Sequence, residues 1–217
     1  MRLMRRGRPV RIGLLGGSFN PAHGGHRAIS RFASDALGLD EVWWLVSPGN
    51  PLKSAQGMAP LNARIASAKA VARRSRIRAT AIEREMRTRY TLDTLRALHR
   101  RYPRRRFIWL MGEDNLAQFH QWKGWRDIAR TTAIAVIARP GYTREAVGSP
   151  AMAWLRRFVR PASQSKSWTK WRLPALVLLR FRPDPRSATL LRQKAPLWHL
   201  SYADVAPIDG VTGRRIL

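Results

Sequence analysis

Apolar residues along this chain occur in two alternating patterns. Short runs rich in β-branched and aromatic residues, as expected of strands, are separated by longer stretches in which apolar residues recur at helical spacing. Six runs are predicted to be strands: 10–15, 42–46, 77–82, 107–111, 133–138 and 175–181. Four stretches are predicted to be helices: 26–37, 62–73, 91–101 and 114–129, the last broken around Lys123-Gly124.

Several predicted strands are apolar almost without interruption, which is typical of strands buried on both faces. Their alternation with helices indicates an α/β fold, a Rossmann-like doubly wound parallel sheet with helices on both faces. We read the mixed stretch 141–172 as a surface excursion, with a helix at 151–159 and a polar segment at 161–170. The length fits a single domain over residues 1–217, with a basic extension at 1–9 and a divergent tail at 193–217 that lacks an amphipathic closing helix.

Other global features restrict the class of protein. No run reaches the roughly 18 apolar residues that a membrane-spanning helix needs, because arginines interrupt every run. The basic start leads directly into a predicted strand, without the apolar region and cleavage site of a secretory signal. The chain has no cysteine, which excludes disulfides and thiolate metal sites. We therefore expect a cytoplasmic protein that does not bind membranes.

The chain is strongly basic, with 41 Lys and Arg residues against 13 Asp and Glu residues and a formal net charge of +28. Such a charge attracts polyanions, so one interpretation is binding to nucleic acid or to a membrane surface. The other is that the arginines are solvated on helix faces and assist an anionic substrate. We favour the second interpretation, because the basic runs are scattered and no recognised nucleic-acid module contains them.

The first predicted strand runs directly into GGSFNPAHGGH, residues 16–26, and then into a predicted helix. Open α/β sheets bind ligands at this place, at the carboxyl end of a strand. Gly16 and Gly17 allow a tight turn and a close approach to phosphate, and the helix start adds free amides and a positive dipole. His23 and His26 are three residues apart and can face one bound group, although either can also be an ordinary cap or turn residue. The glycine spacing of a dinucleotide-binding G-x-G-x-x-G loop is absent, as is a Walker loop.

This segment resembles the HxGH motif of the nucleotidyl-transferase superfamily, and the chain from Arg11 to about Arg192 is similar to bacterial nicotinate-nucleotide adenylyltransferases. The resemblance implies ATP and nicotinic acid mononucleotide as substrates, in NAD biosynthesis. It implies ATP contacts from Gly16, Gly17, Ser18, Phe19, His23, His26, Ser187, Thr189 and Arg192. Within this set it implies catalytic roles for His23, His26 and Arg192, with Mg2+ held by the ATP phosphates and by no protein side chain.

The resemblance also implies a mononucleotide side. Its candidate contacts are Asn20, Lys53, Tyr90, Thr91, Asp114, Trp122 and Arg139. A carboxylate such as Asp114 suits a ribose diol because it accepts two hydrogen bonds, and an indole such as Trp122 suits an electron-poor ring by offset stacking. We expect Trp125 to pack in the core, and Glu113 leaves open which carboxylate faces the ribose.

Ordinary structural roles remain open at several of these positions. Lys53 lies in a Pro/Gly-rich turn, and Thr91 and Ser187 are at places where helix caps occur. Trp122 can be a core residue, and Arg139 can form a structural ion pair.

Two functional alternatives also remain. One is another adenylyl- or cytidylyltransferase of the superfamily, acting on the amide mononucleotide or on phosphopantetheine. The segments TRYTLDTL at 88–95 and GEDN at 112–115 favour a pyridine nucleotide instead. The other is a basic nucleic-acid-binding protein on the same fold, against which the intact HGGH and SATLLR sequences argue. The sequence leaves the oligomeric state open, including a homo-oligomer.

Overall fold

The structure is a computed structural model that describes residues 8–49, 56–138, 144–181, 188–203 and 205–216. The strands in this part of the chain are β1 Val10–Gly17, β2 Glu41–Val46, β3 Ile77–Thr80, β4 Arg105–Gly112, β5 Ala133–Ala138, β6 Val159–Arg160 and β7 Leu176–Arg180. They form one parallel sheet in the order β3-β2-β1-β4-β5-β7-β6. All six predicted strands are present.

Helices connect the strands. The α-helices are α1 Gly24–Leu37, α2 Leu61–Ala72, α3 Ile82–Glu85, α4 Thr91–Arg101, α5 Glu113–Gln118, α6 Trp125–Thr131, α7 Arg144–Val147, α8 Pro150–Leu155 and α9 Ala188–Lys194. Turns of 3-10 helix lie at Phe119–Gln121, Arg156–Phe158, Ala162–Lys170 and Trp198–Tyr202. The fourth predicted helix is broken as expected, because Gly124 adopts a positive φ of 66° immediately before α6.

Several predicted boundaries differ from those observed, and two of the differences have a clear structural cause. The third strand ends at Thr80 rather than Ile82, because the Ala81 N–H donates to the carboxylate of Asp209 at 2.7 Å and Ile82 begins α3. The helix predicted at 151–159 ends at Leu155, and Val159 joins the sheet beside Leu176. Val159 is β-branched and Arg160 directly precedes Pro161, and both features favour an extended backbone over a helix.

The sheet is covered on both faces, which confirms the predicted fold class. Side chains alternate between the faces, so that Trp44 on β2 enters one core and Trp43 enters the other. The first core contains residues from α1 and α2, and the second contains residues from α4, α5, α6 and α8. The strand order reverses between β1 and β4, whose carboxyl ends therefore border a crevice of the kind that binds ligands in open α/β sheets.

The polar segment predicted at 161–170 packs on the end of α1. The indole of Trp168 is 4% exposed and donates to the carbonyl of Leu37 at 3.1 Å. The hydroxyl of Ser165 donates to the carbonyl of Ala36 at 2.7 Å. These two donors satisfy carbonyl groups that the end of a helix leaves without intrahelical partners.

The tail packs against the edge of the sheet through a buried carboxylate. Asp209 is 5% exposed and accepts hydrogen bonds from the Thr80 hydroxyl and from the backbone N–H groups of Ala81, Val211 and Thr212. A buried charge of this kind is tolerated because several donors surround it. Ile216 then adds a buried side chain to the first core. Throughout the described ranges, no helix combines the length and apolar character needed to cross a membrane.

Candidate active site

A cavity of about 600 Å³ lies at the carboxyl ends of β1 and β4. The turn after β1 forms one wall, and residues of the segments 89–91 and 112–123 form the opposite wall. Ten of the contacts expected from sequence line the cavity: Gly16, Gly17, Ser18, Phe19, Asn20, His26, Tyr90, Thr91, Asp114 and Trp122.

Glycine is required at position 16 because of a close packing contact. A Cβ atom at Gly16 would lie 2.7 Å from the indole of Trp109 on β4, inside van der Waals distance. A Cβ at Gly17 would lie 3.3 Å from the ring of Phe19. The backbone at the end of β1 can therefore face the cavity and lie this close to β4 only because Gly16 has no side chain.

The two histidines form a reciprocal cap at the start of α1. Nδ1 of His23 accepts from the N–H of Gly25 at 3.1 Å, and Nδ1 of His26 accepts from the N–H of His23 at 3.2 Å. Because each Nδ1 acts as an acceptor, a neutral imidazole in either position carries its proton on Nε2. The ring centroids are 3.9 Å apart.

The electrostatic environment keeps His26 neutral. Burial, together with the neighbouring His23, lowers the pKa of His26 to about 3. At neutral pH its Nε2–H is therefore a hydrogen-bond donor without a formal charge. The Nε2–H groups of His23 and His26, next to the positive end of the α1 dipole, are suited to phosphate oxygens.

Phe19 holds the turn in an uncommon backbone conformation. Its φ of 47° is in the left-handed region, which bulky residues rarely adopt. The ring is buried between Trp44, at a centroid distance of 5.1 Å, and His26, at 4.8 Å. The aromatic contact thus fixes both the turn and the imidazole of His26.

Glu83 supports the opposite wall of the cavity. Its backbone carbonyl accepts from the N–H of Thr88 at 2.9 Å, and its Oε1 accepts from the hydroxyl of Thr94 at 3.1 Å. These bonds enclose the segment that carries Tyr90 and Thr91. Burial raises the pKa of Glu83 to about 7.

Thr91 is the first residue of α4 rather than its cap. The cap position is Tyr90, and it makes no side-chain capping bond. The ammonium group of Lys123 lies 4.3 Å from the centroid of the Tyr90 ring, and both residues line the cavity. This rim of the cavity therefore combines an aromatic ring with a cation.

Trp122 and Trp109 form an aromatic corner of the cavity. Their rings are nearly perpendicular, with centroids 6.1 Å apart. The Nε1–H of Trp109 is buried and has no hydrogen-bond partner among the described residues. Trp125, by contrast, is not part of the lining and packs against Phe119 and Trp154.

Of the two adjacent carboxylates, Asp114 lines the cavity and Glu113 does not. Asp114 is in the first turn of α5, directly after Gly112 at the end of β4. A Cβ at Gly112 would overlap the Asp114 carboxylate, so a side chain here would displace that carboxylate from its present position.

Helix α9 approaches the site from the other side of the β1 turn. Arg192 donates from Nη1 to the carbonyl of Asn20 at 2.6 Å and from Nη2 to the hydroxyl of Thr189 at 3.3 Å. Ala188 lines the cavity, whereas Thr189, Arg192 and His23 are not part of the lining. The candidate contacts Lys53, Arg139 and Ser187 lie outside the described residues.

Sequence reasoning missed several residues that line the cavity: Glu83, Arg89, Trp109, Asn115, Gln121 and Lys123. Trp109 occurs within a predicted apolar strand, where an aromatic side chain is ordinarily part of the core. Its position three residues before Gly112, where the strand ends, is the one signal that could have marked it. Glu83 had no comparable signal, because its burial results from packing against α4.

Comparisons with known proteins show which family this chain is similar to. A family model described as cytidylyltransferase-like matches residues 14–194. A protein of Erythrobacter litoralis named "Probable nicotinate-nucleotide adenylyltransferase" is 63% identical over 207 residues, which cover 95% of this chain and 94% of that protein. A protein of the same name from Parvibaculum lavamentivorans is 50% identical, covering 85% of this chain and 92% of its own.

A solved structure adds support for the fold. The nicotinic acid mononucleotide adenylyltransferase of Plasmodium falciparum, complexed with NaAD, superimposes with a TM-score of 0.61 over 85% of this chain and 83% of that chain, at 17% identity. The Erythrobacter litoralis match covers nearly the whole chain and so extends beyond Arg192 into the tail.

Proposed function

Since the chain belongs to the nicotinate-nucleotide adenylyltransferase family, we propose that its cavity transfers AMP from ATP to nicotinic acid mononucleotide. The products are nicotinic acid adenine dinucleotide and pyrophosphate, in NAD biosynthesis. One cavity contains the turn after β1, the aromatic corner of Trp109 and Trp122, and the carboxylate of Asp114. This combination is the observation that carries the proposal. The turn suits ATP phosphates, and the corner with Asp114 suits a pyridine ring and its ribose.

The reaction is an in-line displacement at the α-phosphorus of ATP. A phosphate oxygen of the mononucleotide forms the new P–O bond, and the bond to pyrophosphate breaks. A phosphate monoester has a second pKa of about 6, so the nucleophile is already ionised near neutral pH and needs no general base. The protein contributes alignment and stabilisation of charge.

The residues at the β1 turn would stabilise the charge that develops on the phosphates. Nε2–H groups of His23 and His26 donate to phosphate oxygens, and backbone at Gly16 and Gly17 approaches them closely. Ser18, Phe19, Ser187 and Thr189 complete the ATP side, and Arg192 adds a positive charge where pyrophosphate leaves. A neutral His26 retains this donor role over the whole physiological pH range, because burial keeps its pKa near 3.

Magnesium is proposed as the cofactor, with its ligands supplied mainly by the nucleotide. Among the described residues, no three His, Asp or Glu side chains are close enough together to hold a metal ion. ATP phosphate oxygens are the hard ligands that Mg2+ prefers, and water completes its coordination. When bound in this way, Mg2+ neutralises charge on the triphosphate.

On the mononucleotide side, we propose that Trp122 stacks on the pyridine ring and that Asp114 accepts hydrogen bonds from ribose hydroxyls. Tyr90 and Thr91 close the opposite edge, and Asn20 joins this side to the ATP turn. Lys53 and Arg139 remain proposed contacts to anionic groups. A cytoplasmic location and a homo-oligomeric assembly also remain proposals from the sequence.

The acceptor is tested by following pyrophosphate release from ATP and Mg2+. Parallel reactions contain nicotinic acid mononucleotide, its amide counterpart or phosphopantetheine. We expect the highest kcat/KM with nicotinic acid mononucleotide. Release with only one of the other acceptors would contradict the proposed substrate while retaining adenylyl transfer, and no release with any acceptor would contradict the activity itself.

A further inference from the structure

A buried arginine lies behind the wall of the cavity. Arg64, in the first turn of α2, is 1% exposed. Its guanidinium donates to four backbone carbonyl groups: from Nε to Ala59 at 2.8 Å, from Nη1 to Ser18 at 2.9 Å and Ser47 at 2.6 Å, and from Nη2 to Pro48 at 3.4 Å. Burying a cation is costly, and these carbonyl oxygens provide its compensation. Burial lowers the pKa of Arg64 to about 10, so the group stays protonated at neutral pH.

The four carbonyl groups belong to the two loops that border the site. Ser18 follows β1, and Ser47 follows β2. Both line the cavity, whereas Arg64 is not part of the lining. Arg64 is therefore placed to act on a ligand only through the backbone that it holds.

The bond to Ser18 also determines the direction of a peptide group. In a trans peptide the N–H points opposite to the C=O, and the two cis peptides of the described chain are elsewhere, at Asn20-Pro21 and Leu173-Pro174. With the Ser18 carbonyl directed at Arg64, the N–H of Phe19 points away from Arg64. Because Phe19 has a positive φ, this conformation persists only when its surroundings enforce it.

We propose that Arg64 is a positioning residue that holds the Ser18–Phe19 peptide with its N–H toward the phosphates of bound ATP, and keeps the loop after β2 in register with it. The inference rests on the proposed use of this turn for ATP. In this role Arg64 touches no substrate. It preorganises the backbone N–H that stabilises the phosphates. The planar guanidinium is needed because a lysine ammonium has three donors in a different geometry and cannot reproduce this set of bonds.

Steady-state kinetics of Arg64→Met and Arg64→Lys test the proposal. We expect kcat per folded molecule to fall about 100-fold in Arg64→Met, because misalignment near 1 Å has a cost of that order, and to recover in part in Arg64→Lys.

The matched control is Arg27→Met. Arg27 also donates to a backbone carbonyl, that of Val71 at 3.0 Å, but it joins α1 to α2 and is not part of the cavity lining. We expect a kcat within twofold of wild type and a change in melting temperature only. If Arg64→Met likewise loses melting temperature but keeps kcat per folded molecule, the positioning role is wrong.

A second measurement needs neither a stable methionine variant nor the acceptor. In the 15N amide spectrum of the wild-type protein, addition of Mg2+ and α,β-methylene-ATP should shift the Phe19 resonance downfield. The shift should be reduced in Arg64→Lys. An unmoved Phe19 resonance in saturated wild-type protein would overturn the proposal, whichever acceptor the enzyme uses.

Discussion

Replacing Glu83 by glutamine isolates the free energy of burying this carboxyl group in the cavity wall. Glu83 is 9% exposed, and burial raises its pKa from 4.5 to about 7. Between these two values the folded protein retains a proton that the unfolded chain loses. The stability contributed by this group is therefore complete below pH 4.5 and is lost as the pH rises to about 7.

The magnitude follows from the difference between the two pKa values. A difference of 2.5 units, at about 1.36 kcal/mol each, corresponds to roughly 3 kcal/mol of unfolding free energy. Glutamine has the shape of the protonated acid, keeps an oxygen that accepts from the hydroxyl of Thr94, and does not ionise. The unfolding free energy of Glu83→Gln minus that of wild type should therefore increase by about 3 kcal/mol from pH 4.5 to pH 8.

Urea unfolding of both proteins across this pH range measures the difference. Other groups cancel in the subtraction, including His26, whose depressed pKa has the opposite effect and removes stability as the pH falls below 6.5. Glu145→Gln, at an exposed position on α7, is the control for the loss of one negative charge. A difference between Glu83→Gln and wild type that stays constant with pH would show that burial does not raise the pKa of Glu83.

Two further predictions concern the catalytic turn and the tail. His26→Ala should lower kcat about 100-fold or more while the circular dichroism spectrum stays that of wild type, because a phosphate donor is lost; near-normal turnover would show that His26 is not required. Asp209→Ala should lower the unfolding free energy by about 3 kcal/mol, because the Thr80 hydroxyl and the Ala81 N–H lose a buried charged acceptor. Urea unfolding measures this loss, and a change below about 0.5 kcal/mol would mean that the tail does not stabilise β3.

The sequence was sufficient where structure depends on local patterns. The strand-turn-helix at the first motif and the helix at Thr91–Arg101 follow from apolar periodicity and from the glycines at the turn. A doubly wound sheet also places its ligand site at the carboxyl ends of its strands, which is where the segments 16–26 and 112–115 lie. These features explain why most candidate contacts line one cavity.

The sequence was insufficient where structure depends on distant partners. Arg64 looks like one of many helix arginines until its four carbonyl acceptors are known. Asp209 lies in a tail without an amphipathic pattern, and its partner Thr80 is 129 residues away. Neither contact leaves a periodicity or a motif in the sequence, because each depends on how separate loops meet in three dimensions.

The most direct test of the proposed adenylyl transfer follows the α-phosphate of ATP. The purified protein is incubated with Mg2+, nicotinic acid mononucleotide and ATP labelled at the α-phosphorus. We expect the label to appear in nicotinic acid adenine dinucleotide, with an equal amount of unlabelled pyrophosphate released. Label that remains in ATP, or that is released as free AMP without dinucleotide, would contradict it.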